Sequence, residues 1–142
     1  MRIKAFLAGG FLALALFGVA AAGPLEDART AEQRGDYATE MALLRPLADQ
    51  GNAVAEIDLG LMYEHGQGVP QDFAQAVIWY QKAADQGNAN GQTDLGWMYV
   101  HGRGVPQDFA QALVWLRKAT DQGYARAETD RGLMYEHGQG VL

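Results

Sequence analysis

The chain has 142 residues, a net charge of −6 and no cysteine, so it is sized for one domain and carries no disulfide framework. Lys and Arg number 11 against 17 Asp and Glu, which argues against binding nucleic acid or an anionic membrane, since both need a basic patch. Serine is also absent, and without serine or cysteine there is no Ser-His-Asp, Cys-His or serine β-lactamase chemistry.

In chain order, Met1-Arg2-Ile3-Lys4 is a short basic start, followed by an apolar run from Ala5 to about Val19 and then by Ala20-Ala21-Ala22 and Gly23-Pro24. This pattern predicts a secretory signal peptide over residues 1–22, cleaved after Ala22. The run is shorter than the ~20 apolar residues of a spanning helix, and a retained anchor is the alternative. Cleavage leaves nine basic residues against 17 acidic ones, a net charge of −8, and no nearby cysteine to take a lipid.

Residues 23–142 read as helices punctuated by glycine. Leu25 to Arg34 is a short helix with Pro24 in its first turn and Leu25, Ala28 and Ala31 on one face. Gly35 breaks it, and Asp36 caps a second helix that runs to about Gln50 and stops at Gly51. Pro46 removes one backbone donor inside that helix and predicts a kink or loosened turn. Asn52 opens a third helix whose core face is Ala55, Leu59, Met62 and Tyr63, closed by Gly66. After the loop Gln67 to Gln71, Asp72 caps a fourth helix. It buries Phe73, Ala76, Val77, Tyr80 and Ala84, leaves Lys82 and Asp85 in solvent, and stops at Gly87.

The chain then repeats itself. Shifting Leu59–Asp94 by 36 positions onto Leu95–Asp130 aligns 24 identical residues out of 36. Such a period marks a solenoid, whose units must stack to bury their apolar faces. Asp36 to Asp58 matches Asp72 to Asp94 at 9 of 23 positions, so the first unit is a diverged copy with a shorter internal loop. The units run over about 23–51, 52–87, 88–123 and, in part, 124–142. Gly60, Gly96 and Gly132 recur mid-helix, where glycine costs ~1 kcal/mol relative to alanine; their recurrence predicts close helix approach. In the last unit Arg131 replaces the core Leu59 and Leu95, which suits either a solvated cap or a truncated repeat. A third option is completion by a second copy or a partner, that is, self-association through the C-terminal repeat end. So few units predict marginal stability.

The motifs Leu59-Gly60-x-Met62-Tyr63, His65-Gly66-x-Gly68-Val69-Pro70-Gln71-Asp72-Phe73-Ala74-x-Ala76 and Trp79-x-x-Lys82-Ala83, with their copies 36 residues on, resemble Sel-one-like repeats, relatives of the tetratricopeptide repeat. The resemblance covers about Asp36 to Val141. It implies an all-α, right-handed α/α superhelix of about two and a half to three helix-turn-helix units. It also implies a scaffold or adaptor for protein–protein interaction, often periplasmic or secreted in bacteria. Asp58, Asp94 and Asp130 depart from the asparagine typical of the family.

Chemistry has few footholds. His65, His101 and His137 are repeat-equivalent, and helices packed ~8–10 Å apart cannot bring them to one metal; each suits the negative end of its helix. The Gly-x-Gly loops lack a following Gly-Lys-Ser/Thr, and Asp72 or Asp108 would repel a phosphate. No metal or cofactor is expected. The Asp58, Asp94 and Asp130 column is either an acidic strip for a basic peptide or, the favoured reading, a set of side-chain-to-backbone bonds. Trp79 and Trp115 read as core.

Opposite the core face of the first helices lie Ile57, Leu61 and Glu64, then Thr93, Trp97 and Val100, then Thr129, Leu133 and Glu136. Otherwise similar units differ here: Leu61 becomes Trp97 and Glu64 becomes Val100. Display positions can drift in this way, while core positions cannot without cavities or overpacking. The sequence thus predicts an apolar groove of Ile57, Leu61, Trp97, Val100 and Leu133, rimmed by Glu64 and Glu136 and anchored by Trp97. The favoured function is a non-catalytic exported solenoid that binds a protein or peptide on its concave side. The alternatives are an envelope hydrolase using Glu64 or Asp94 with a histidine, and a degenerate fragment with no partner.

Overall fold

The computed structural model describes residues 23–139. The predicted signal segment, residues 1–22, and the last three residues lie outside them. Local signals set the helix starts. Asp36, Asn52, Asp72, Asn88 and Asp108 each accept a hydrogen bond from a backbone N–H three residues on, at 3.0–3.2 Å. Each such cap satisfies a backbone N–H that the first turn would otherwise leave free. The helices they open are α2 (Tyr37–Asp49), α3 (Ala53–His65), α4 (Phe73–Asp85), α5 (Ala89–His101) and α6 (Phe109–Thr120). Before them stands α1 (Pro24–Gln33), with proline in its first turn. After them, α7 (Ala125–Glu136) starts at Tyr124 without a side-chain cap. α2 continues through Pro46 to Asp49. Gly66 closes α3 in the left-handed region at φ 66°, where a side chain would be strained. There is no strand among the described residues.

Each helix packs on the next, and the first helices of successive units also meet, α3 with α5 and α5 with α7. The chain is therefore an α/α solenoid in which the second Leu-Gly-x-Met-Tyr segment lies beside the first. The predicted core face holds: Ala55, Leu59 and Met62 are at most 1% exposed, as are Tyr80 and Ala76. Phe73, Val77 and Tyr63 are half-buried at the edges of the core clusters.

Close approach explains two of the three mid-helix glycines. A Cβ at Gly60 would stand 2.6 Å from Tyr80 Cδ1, and one at Gly96 would stand 2.9 Å from Leu116 Cγ. The expectation fails at Gly132, where nothing lies within 4 Å, because no second helix crosses α7 at that point among the described residues. Arg131 is half-buried and donates to Thr120 Oγ1 at 2.9 Å, so it bridges α6 and α7 instead of simply reaching into water.

Equivalent positions change in matched pairs. Tyr80 donates its hydroxyl to Glu64 Oε2 at 2.6 Å; one unit later both partners are apolar, Leu116 and Val100. Gln67 Nε2 donates to the Tyr37 hydroxyl at 3.3 Å; one unit later Phe73 has no hydroxyl, and the Arg103 guanidinium lies 5.3 Å from its ring. Gln86 donates to the buried Glu56 at 2.7 Å, and Gln122 repeats the bond to Gln92 at 2.9 Å. The Trp-x-x-Lys motif also has a physical role. Lys82 Nζ sits 4.0 Å over Trp79, and Lys118 Nζ sits 4.2 Å over Trp115. Trp79 is core, as expected, whereas Trp115 is half-buried.

Candidate functional site

The first helices α3, α5 and α7 form one layer, and two adjoining hollows open along it. The smaller, about 290 Å3, lies between α3 and α5 and is lined by Leu61, Glu64, His65, Asp94, Trp97 and Arg126. The larger, about 490 Å3, lies between α5 and α7, with Trp97, Val100 and Leu133 on its walls and Leu116 of α6 beneath. Its size falls within the ~300–1,000 Å3 usual for ligand pockets. Trp97 belongs to both hollows and divides them.

Leu61, Glu64, Trp97, Val100 and Leu133 are thus brought together along one groove. Ile57 and Thr93 are not: they are 8% and 0% exposed, and the Thr93 hydroxyl donates to the Ala89 carbonyl at 2.8 Å. A helical-wheel argument assigns each first helix one buried face, but α3 packs on α2, α4 and α5, and α5 is enclosed in the same way. The buried arc is therefore wider than a single stripe. Thr129 and Glu136 are exposed on α7 and line neither hollow. The C-terminal repeat end leaves Leu133 and Tyr135 each 49% exposed.

Trp97 is held in place. Its ring centroid lies 4.1 Å from that of His101, with the planes tilted by 32°, and the Arg103 guanidinium carbon stands 4.7 Å from it. His65 and His101 each set Nδ1 2.9 Å from the carbonyl four residues back, Leu61 and Trp97 respectively. A carbonyl can only accept, so Nδ1 carries the proton, and the ring caps the negative end of its helix. Among the described residues no three His, Cys, Asp or Glu gather as a metal would need. At each Gly-x-Gly loop the following aspartate caps its own helix and occupies the anion position; a Cβ on Gly104 would also strike the Phe73 carbonyl.

The aspartate column corrects the expectation of backbone bonding. Asp94, its side chain 8% exposed, accepts from Arg126 Nη2 of α7 at 2.8 Å. Burial pushes its carboxyl up to about 6, while the neighbouring guanidinium pulls it back. Asp58 is also pushed up to about 6 by burial, with Glu32 adding repulsion. Asp130 lines the larger hollow, and its buried Oδ2 has no hydrogen-bond partner among the described residues. Sequence reasoning missed Arg126, Leu116 and Met134 as wall residues. For Leu116 the signal was present, because its change from Tyr80 accompanies the change from Glu64 to Val100.

The family described as Sel1 repeat matches residues 53–88, 89–124 and 125–142. Among solved structures, the chain is similar to c5321, a protective antigen of uropathogenic Escherichia coli with an SLR fold, at 38% identity and a TM-score of 0.72 over 82% of this chain. It is similar to a Sel1 repeat protein from Oxalobacter formigenes at 33% identity and a TM-score of 0.75 over 81% of this chain. Helicobacter pylori cysteine rich protein B shares the fold, with a TM-score of 0.60 at 22% identity, covering 72% of this chain and 92% of that one. A curated relative, the rat DAP3-binding cell death enhancer 1, is 39% identical over 44 residues, 31% of this chain. This chain spans only 29% and 47% of the Escherichia coli and Oxalobacter chains and 9% of the rat protein.

Proposed function

Because this chain belongs to the Sel1 repeat family, we propose that it is an exported, non-catalytic scaffold that takes up a protein or peptide segment in the groove along α3, α5 and α7. One observation carries the reading: Trp97, a residue type common among binding hot spots, stands half-exposed between two hollows on the layer where the repeats differ most. The rat relative, named for binding another protein, supports the same class of role. The basic start, apolar run and small residues of the N-terminal segment support export to the bacterial periplasm or beyond.

The test is Trp97→Ala, with thermal unfolding measured beside recovery of periplasmic partners after crosslinking. The expected result is lost recovery at near-unchanged stability. A variant that melts early yet keeps its partners would place Trp97 in a structural role and end the reading.

A further inference from the structure

Charge along the groove does not balance. Glu64, Asp94 and Asp130 face it from α3, α5 and α7, while Arg126 is the one lysine or arginine among the described residues that lines the two hollows, and Arg103 stands 4.7 Å from the Trp97 ring centroid. The Arg126 guanidinium is committed to Asp94 at 2.8 Å. Glu64 has a neutral partner, the Tyr80 hydroxyl. His65 and His101 direct Nδ1 at backbone carbonyls. Asp130 receives nothing at its buried Oδ2 among the described residues. A buried acceptor without a donor carries an unrecovered desolvation cost. A ligand bringing a donor would recover that cost, and a cationic donor most of all.

The walls beside Asp130 fix the rest of the ligand. Leu133 and Met134 of α7, Val100 and Trp97 of α5 and Leu116 of α6 are apolar. Lysine and arginine place an aliphatic stem on such a surface while the charged head seeks a carboxylate. We propose that the larger hollow seats a lysine or arginine side chain of the bound segment, its stem against Trp97, Leu133 and Met134 and its head at Asp130. This rests on the groove reading above and narrows it to basic, apolar-flanked peptides.

The experiment uses three fluorescein-labelled peptides on one leucine and phenylalanine framework, carrying lysine, glutamine or glutamate at two alternate positions. Binding to the purified protein is read by anisotropy at low and at high salt. The lysine peptide binds at least about tenfold tighter than the glutamine peptide, and the advantage shrinks in high salt. The near-isosteric Asp130→Asn lowers the lysine advantage several-fold and leaves the glutamine peptide unchanged. Equal or tighter binding of the glutamate peptide, or a lysine advantage untouched by Asp130→Asn, overturns the proposal while the groove stands. If no peptide binds, or Trp97→Ala leaves all binding intact, the groove reading falls and takes the proposal with it.

Discussion

Alanine placed in turn at Gly60, Gly96 and Gly132 tests the stacking argument at one repeat position in three environments. Helix propensity alone favours the substitution by ~1 kcal/mol at each site. At Gly132 the added methyl meets nothing within 4 Å, so the gain is kept and the protein is stabilised by ~0.5–1 kcal/mol. At Gly60 the methyl would enter the ring of Tyr80, 2.6 Å from Cδ1 and 3.1 Å from Cζ. That ring is fully buried and tied to Glu64 through its hydroxyl, so it cannot swing away. Overpacking of this kind costs ~1–3 kcal/mol, which outweighs the propensity gain. Gly96 falls between, since Leu116 Cγ at 2.9 Å belongs to a more adaptable side chain, although the Ala112 carbonyl at 3.3 Å limits the room. Urea unfolding followed by far-UV circular dichroism gives the three stability changes from midpoint and slope. The expected order is Gly132→Ala most stable and Gly60→Ala least. Equal stabilisation at Gly60 and Gly132 would refute close helix approach as the reason for the repeated glycine.

The protein should be more stable at pH 5 than at pH 8, as measured by urea midpoints. Burial pushes Glu40 up to about 7, with Glu32 and Asp58 adding repulsion, and holds Asp58 and Asp94 at about 6. A raised carboxyl binds its proton more tightly in the folded state. The penalty is therefore present above about pH 7 and is relieved as pH falls through these values toward the unfolded range near 4. Glu40→Gln should raise stability at pH 8 and flatten this slope; an unchanged slope would remove Glu40 as its source. The pair Tyr80 and Glu64 invites a double-mutant cycle toward Leu116 and Val100. Glu64→Val alone strands a buried hydroxyl at ~1–3 kcal/mol, and adding Tyr80→Leu restores most of that loss. Additive effects would mean that the matched change between units is not a coupled one.

Much of this molecule was legible before folding was considered. The caps at Asp36, Asn52, Asp72, Asn88 and Asp108, the stop at Gly66 and the 36-residue period depend on residues within a turn of one another or on direct self-comparison. These features fixed an all-α stack. Burial was less legible. Ile57 and Thr93 sit on the outward side of an isolated helix and are interior in the stack, because α3 packs against three other helices and α5 against four.

Local hydrogen bonding and apolar periodicity are properties of a short stretch, so the sequence alone determined which segments are helices and which face of each first enters the core. Which charges meet is a property of the assembled layer. The bond of Arg126 to Asp94, 32 positions earlier, the empty space over Gly132 and the unpartnered Oδ2 of Asp130 were decided only when helices distant in sequence came within contact range.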